Sequence, residues 1–164
     1  MSPIVAAYDR MLVLLAILVG IMVLSSMVLV VADVLLRYFF DSPIGWVIEV
    51  CEYFLLLTPF LGMAWLVRQA EGHIRIDVVV QSLGRRVQAI LNCWGSALIV
   101  AALVPGAYYT AISAWSHVER NVMTPGVYPI PKGYLMFAIT LGFALTAIEF
   151  ARKAWGHFKE VRSL

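Results

Sequence analysis

The strongest constraint on this chain is the length of its uncharged apolar stretches. Residues 11–32 form a run of 22 residues without Asp, Glu, Lys or Arg, and residues 87–118 form another of 32. About 20 apolar residues in a helix are enough to cross a bilayer. Because 62% of the 164 residues are hydrophobic and only 13% are charged, the chain has too little polar surface for a soluble globule. The sequence therefore predicts an all-α integral membrane protein.

The apolar pattern predicts four transmembrane helices in a single membrane domain, residues 1–164. The first span is longer than the apolar region of a secretory signal peptide, roughly 7–15 residues, so we interpret it as a retained anchor. Pro59 lies inside the second span and predicts a kink there. We also expect a short interfacial amphipathic helix at about 76–86, between the second and third spans. The spans are predicted at about 11–36, 45–68, 87–118 and 133–153.

The distribution of cations predicts the orientation in the membrane. Four spans place both termini and the second connection on one side, and that side carries nine of the twelve Lys and Arg residues. By the positive-inside rule, the N- and C-termini are expected in the cytoplasm. The net charge of +2 is small and dispersed, so membrane lipid is an expected partner and nucleic acid is not.

A few ionisable residues lie near the ends of the first two spans. Glu49 and Glu52 are three residues apart, so they share one face of the second helix. We predict an ion pair between Glu49 and Arg37 that ties these spans together, since an acid close to hydrocarbon needs a partner. Asp33 and Arg37 are four apart and form a second candidate pair. Asp9 is a candidate N-cap of the first helix.

Signs of catalysis or of a bound cofactor are absent from the sequence. The histidines lie at span ends, which argues against a di-haem or quinone site within the helices. Cys51 and Cys93 lack the spacing of metal ligands and are expected to be small apolar side chains. The chain contains no Walker loop, GxGxxG or GxSxG motif. We therefore expect neither an enzyme nor a cofactor in this chain.

Several short motifs occur in an order that is similar to a known family. Together they cover roughly Leu36–Gly142 and resemble the small membrane subunit of tripartite ATP-independent periplasmic (TRAP) transporters. The chain departs from the family pattern at Ile48, where an acid is common, at Glu52, where a basic or neutral residue is usual, and at Thr140, where proline is common. The motifs are Arg37-Tyr38-Phe39-Phe40-x-Ser42, Trp46-x-x-Glu49, Phe60-Leu61-Gly62, Gly72-His73-Ile74-Arg75-Ile76-Asp77 and Ile130-Pro131-Lys132-Gly133-Tyr134.

The resemblance implies a non-catalytic subunit of a sodium-coupled, binding-protein-dependent importer, with an organic acid as the expected solute. In such systems the small subunit is a membrane scaffold for the large transport subunit, which carries the substrate and sodium sites. The implied partners are that large membrane subunit and a periplasmic substrate-binding protein. The implied location is a bacterial or archaeal cytoplasmic membrane. The alternative is a standalone four-helix membrane protein, either a redox-complex anchor or a small oligomeric exporter.

The candidate site residues are structural or subunit-contact residues rather than substrate ligands. In the turn after the second span, Gly72 permits a positive φ, and Asp77 is expected to cap the interfacial helix by accepting backbone N–H groups. His73 is expected to form a hydrogen bond across the same turn. The full set of candidates is Arg37, Glu49, Glu52, Gly72, His73, Asp77 and Pro131.

Overall fold

The computed structural model describes residues 3–69, 84–126 and 128–163. These residues form four helices and no strand; the sole β-type pairing among them is an isolated bridge between Met123 and Pro131. Each helix is long and apolar enough to cross a membrane, which confirms the predicted all-α membrane class. The helices are α1 (Pro3–Phe40), α2 (Val47–Gln69), α3 (Arg85–Glu119) and α4 (Lys132–Ser163).

The helices extend beyond several of the predicted spans. Because α1 begins at Pro3, Asp9 lies inside the helix, and its predicted role as N-cap is wrong. Helix α2 is continuous through Pro59, and α3 is continuous through Pro105. The predicted interfacial helix at 76–86 lies mostly outside the described residues, since the description resumes at Gly84, which immediately precedes α3.

The four helices pack in the order α1, α2, α4, α3. Helix α1 packs against α2, α2 against α4, and α4 against α3. Burial is greatest in the two central helices, because 22% of the residues in the most apolar stretch of α2 and 33% of those in α4 are buried, against 6% in α1 and none in α3. The outer helices α1 and α3 therefore present most of their apolar side chains to the surroundings.

A small apolar core lies where α1, α2 and α4 come together. Leu12 of α1 and Ala64 of α2 are fully buried, and Leu145 of α4 lies against them. The core is close to the end of the molecule where α1 begins and where α2 and α4 finish, which we call the terminal end. The opposite end, which carries the α1–α2 and α3–α4 connections, is called the loop end. Three partly buried residues complete the core: Tyr8, Leu15 and Trp65.

The two central helices approach one another closely at Gly142. A Cβ atom at this position would overlap the backbone carbonyl oxygen of Phe60, so only glycine lets α2 and α4 lie at this separation. The rings of Phe60 and Phe143 pack beside the contact with centroids 5.1 Å apart. Small residues at helix crossings permit the close packing that holds helices together in lipid. Gly142 thus fixes the separation of the central pair.

Candidate functional site

Polar contacts between helices concentrate at the terminal end, in a group that we call the three-helix ion cluster. Its centre is Arg68, in the last turn of α2, which lies between an acid of α1 and an acid of α4. Arg68 Nη2 is 2.6 Å from Asp9 Oδ1, and Arg68 Nη1 is 3.4 Å from Glu149 Oε1. The contact with Asp9 Oδ1 is an ion pair without the alignment of a hydrogen bond. The cluster comprises Tyr8, Asp9, Arg68, Glu149 and Arg152.

Glu149 is the most buried charge of this cluster, with 3% of its surface exposed. It is flanked by two cations, because Arg152 Nη1 lies 3.3 Å from the Glu149 oxygen that Arg68 also approaches. The ring of Tyr8 lies below both guanidinium groups, 5.9 Å from that of Arg68 and 5.8 Å from that of Arg152. Two carboxylates and two guanidinium groups balance in charge. This balance of charge permits the burial of Glu149. The ion pairs of Arg68 crosslink α1, α2 and α4.

At the loop end, Asp33 closes the turn between α1 and α2. Its side chain is 5% exposed. Oδ1 accepts a hydrogen bond of 2.7 Å from the backbone N–H of Ile44, and Oδ2 accepts one of 2.8 Å from Arg37 Nη2. Asp41, in the turn itself, has a φ of 49°, in the left-handed region that aspartate tolerates better than most residues. The predicted pair between Asp33 and Arg37 is confirmed, and it anchors the start of α2 to α1.

Glu49 holds the α3–α4 connection, residues 120–131, against the start of α2. Its Oε2 accepts a hydrogen bond of 3.1 Å from the backbone N–H of Tyr128. One turn later, Tyr53 Oη donates to Thr124 Oγ1 over 2.8 Å. A Cβ atom at Gly126 would lie 2.8 Å from the Glu49 carboxyl group, so glycine makes room for the carboxylate. We call this arrangement the loop clasp.

Hydrogen bonds join the described residues on the two sides of this connection. The backbone N–H of Thr124 donates to the carbonyl oxygen of Ile130 over 2.9 Å, and the N–H of Ile130 donates to Thr124 Oγ1 over 3.0 Å. Thr124 is buried, so its hydroxyl joins the two sides of the connection and also accepts from α2. Asn121 turns the chain at the end of α3 with a φ of 49°.

The structure separates the predicted site residues instead of bringing them together. The ion pair of Arg37 is with Asp33, so the predicted pair between Arg37 and Glu49 is wrong. Glu52 is exposed on α2. Pro131 forms the bridge with Met123, and its carbonyl oxygen accepts from the N–H of Tyr134 at the start of α4. Three further candidates lie outside the described residues, namely Gly72, His73 and Asp77.

The three-helix ion cluster was missed by reasoning from the sequence. The available signal was Glu149, the only acid in the predicted span 133–153, which lies three residues before Arg152. An acid in an apolar span needs a partner. The predicted span 45–68 finishes at the same end of the molecule as the span 133–153, and its last residue is the cation Arg68. The loop clasp gave no comparable signal, because Tyr128 contributes only a backbone N–H.

The polar groups described at both ends join helices to one another and to the connections. Among the residues that the structure describes, no three His, Cys, Asp or Glu side chains lie close enough to hold a metal ion. Cys51 is buried, and its thiol points to the carbonyl oxygen of Ser26 at 3.8 Å, a contact between α2 and α1. The described contacts position helices and connections.

Comparison with known protein families adds an independent finding. Residues 26–160 match the family described as "Tripartite ATP-independent periplasmic transporters, DctQ component". The match spans the loop clasp, the Asp33 turn and the α2 and α4 residues of the three-helix ion cluster. Comparison with curated proteins gave no match.

Proposed function

The chain belongs to the DctQ component family of tripartite ATP-independent periplasmic transporters, and from this premise we propose that it is the scaffold of its transporter. As a component of a transporter of this family, it is a multi-pass membrane subunit. The proposed role is to hold the large transport subunit in the membrane. Substrate binding and sodium coupling are assigned to that large subunit, and delivery of the solute, an organic acid, to a periplasmic binding protein.

The observation that carries this proposal is that the buried carboxylates are held by partners within the chain. Two acidic residues are buried within the described part of the chain, Asp33 and Glu149. Asp33 accepts from Arg37 and from the Ile44 backbone, and Glu149 lies between Arg68 and Arg152. A carboxylate that binds a passing ion or solute must be able to exchange its partners. Carboxylates held by neighbouring arginines and by a backbone N–H of a connection suit a rigid support.

The exposed apolar surface of the outer helices supports the proposal that the chain binds a large membrane partner. Helices α1 and α3 lie at opposite edges of the helix order and are the least buried. Helix association in lipid rests on close packing and on polar contacts. A partner helix therefore displaces lipid from these surfaces only where the shapes of the two helices match. We propose that part of this surface packs against the large subunit.

The orientation proposed for the subunit has both termini in the cytoplasm, because nine of twelve cations lie on their side. The loop clasp then faces the periplasm. A reporter that is active only in the periplasm, fused after Leu164, is expected to give no signal. A strong signal would reverse the orientation and move the three-helix ion cluster to the periplasmic side.

The scaffold proposal is tested by co-expression of the subunits with one variant and one matched control. Gly142→Leu forces α2 and α4 apart, because any side chain at this position meets the Phe60 backbone. Gly156→Leu is the control, since a Cβ atom there has no neighbour within 4 Å. We expect Gly142→Leu to reduce recovery of the large subunit in mild detergent and to abolish solute uptake in reconstituted vesicles, with Gly156→Leu behaving as the wild type.

Three outcomes would contradict the proposal. Normal uptake by the large subunit and binding protein without this chain would remove the need for a scaffold. Uptake or export by this chain alone in liposomes would indicate a small exporter. A haem absorbance band in the purified chain would indicate a redox-complex anchor.

A further inference from the structure

An apolar groove runs between α1 and α2 in the half of the molecule near the terminal end. Its volume is about 580 Å³, within the range of about 300–1,000 Å³ typical of ligand sites. Gly62 opens the groove, because a Cβ atom there would meet only the Val19 side chain, at an ordinary contact distance of 3.6 Å. Within the bilayer such a groove is filled by hydrocarbon or by a partner side chain. Residues along its walls include Val13, Ala16, Ile17, Met63 and Leu66.

The groove offers its guest a largely apolar surface, with Thr58 and Trp65 as the side chains along its walls that carry a polar group. The hydroxyl of Thr58, which lines it, already donates to the carbonyl oxygen of Phe54 over 2.8 Å. Axes of packed helices lie about 8–10 Å apart, and a helix with its side chains is about 10–12 Å across. The bottom of a groove between two packed helices therefore has the width of a single extended chain.

An exposed cation lies beyond the terminal end of the groove. Arg10 is exposed and lies three residues before Val13, and Arg68 lies two residues after Leu66, so both are about one helical turn beyond the groove. Arg68 pairs with Asp9 and Glu149, and Arg152 with Glu149. The exposed Arg10 has no ion pair among the residues that the structure describes.

We propose that this groove binds one acyl chain of an anionic phospholipid, whose phosphate lies at Arg10. The acyl chain fills the space beside Gly62, and the anionic headgroup pairs with the exposed guanidinium of Arg10. Anionic headgroups are attracted to basic groups at the membrane surface. The proposal concerns a lipid site on this chain and does not depend on its role as a scaffold.

The test measures lipid retained by the full-length purified chain. The chain is exchanged into vesicles of phosphatidylglycerol or of phosphatidylcholine, extracted in mild detergent and examined by native mass spectrometry. Gly62→Leu fills the groove, and Gly62→Ala is a milder version whose Cβ atom fits. Gly20→Leu is the matched control on α1, because a Cβ atom at Gly20 has no neighbour within 4 Å. We expect Gly62→Leu to lose the bound lipid, Gly62→Ala to retain less, and Gly20→Leu to retain as much as the wild type.

The charge part of the proposal has its own variant and control. Arg10→Gln is expected to lower the preference for phosphatidylglycerol over phosphatidylcholine about fivefold, the effect of one cation near an anionic surface. Arg120→Gln, an exposed cation at the loop end, is expected to leave the preference unchanged. Equal retention of both lipids by the wild type would overturn the headgroup assignment.

Two further results would overturn the groove itself as a lipid site. The first is unchanged retention in Gly62→Leu. The second is loss of the lipid when the large subunit is co-purified, together with weaker assembly of Gly62→Leu, which would make the groove a contact for a partner side chain. Failure of the scaffold proposal looks different, since uptake without this chain leaves lipid retention by the chain unaffected.

Discussion

The two ends of the molecule are held together by different kinds of polar contact. At the terminal end, side chains of three helices meet in ion pairs, and Arg68 joins residues as far apart in the sequence as Asp9 and Glu149. At the loop end, the carboxylates of Asp33 and Glu49 accept from backbone N–H groups of the connections. The terminal end therefore fixes helices relative to each other, and the loop end fixes the connections on the helices.

If the two ends differ in this way, a substitution at Arg68 should have the largest effect on the free energy of unfolding. Replacing Arg68 by Gln leaves Asp9 and the buried Glu149 without their shared cation. We expect a loss of about 2–3 kcal/mol in the free energy of unfolding, less than the roughly 3–5 kcal/mol for a fully buried pair because Arg68 is partly exposed. The measurement is unfolding by SDS in mixed micelles.

The matched control for Arg68→Gln is Arg152→Gln. Arg152 is exposed and lies on the same helix as Glu149, so a loss of only about 0.5 kcal/mol is expected. The double change Arg68→Gln with Glu149→Gln removes both charges and should cost less than the sum of the single changes. Equal effects of Arg68→Gln and Arg152→Gln would mean that the cluster does not crosslink the helices.

The second largest effect on the free energy of unfolding is expected for a substitution at Asp33. In Asp33→Ala the partly buried N–H of Ile44 and the guanidinium of Arg37 lose their acceptor. We expect a loss of about 2 kcal/mol in the free energy of unfolding, since unpaired buried groups keep their desolvation cost. Asp41→Asn is the control, because Asp41 is exposed and asparagine also tolerates its positive φ. A loss equal to that of the control would remove Asp33 as the anchor of the turn.

A smaller effect is expected at Glu49, because its carboxylate is only partly buried. Glu49→Gln weakens the hydrogen bond from the Tyr128 backbone and should cost about 1 kcal/mol. The change acts mainly on residues 120–131, so faster cleavage of this connection in limited proteolysis is the expected readout. If cleavage is unchanged while global unfolding is easier, Glu49 stabilises helices and not the connection.

A double-mutant cycle between Arg37 and Glu49 sharpens this result. The structure gives these residues different partners, so the effects of Arg37→Gln and Glu49→Gln should add. A coupling above about 0.5 kcal/mol would restore the direct pair that the sequence suggested.

The smallest effect is expected at Glu52. Its side chain is exposed on α2, so Glu52→Gln should change the free energy of unfolding of the isolated chain by less than about 0.5 kcal/mol. If Glu52 is a subunit contact, the same change should weaken recovery of the large subunit in mild detergent. An effect on the isolated chain as large as that of Glu49→Gln would place Glu52 in the loop clasp.

The sequence predicted those features that depend on neighbouring residues. The four membrane helices follow from apolar run lengths, and the pair of Asp33 with Arg37 follows from a spacing of one helical turn. The partner of Glu49 was predicted wrongly because proximity along the chain favoured Arg37, whereas the acceptor role is satisfied by a connection 79 residues away. Almost every residue has a backbone N–H, so the sequence does not show which of them donates to Glu49.

The helix order was also beyond reach of the sequence. Helices in lipid are apolar on all sides, so hydropathy does not reveal which face packs against which neighbour. The decisive contact is Gly142 against the Phe60 backbone, and this glycine is one of 11 in the chain. The structure distinguishes it by the atom that a Cβ would meet.

The packing order α1, α2, α4, α3 has a consequence for biogenesis. Helices adjacent in the sequence, α1 with α2 and α3 with α4, are also adjacent in space, so each hairpin can pair as it leaves the insertion machinery. Of the contacts that join the two hairpins, those between α2 and α4 must wait until the last helix has been synthesised. Arg68 is made early and its partner Glu149 late, so within the described part of the nascent first hairpin the ion-pair partner of Arg68 is Asp9. Insertion of the final helix is then the step that commits the subunit to its mature form.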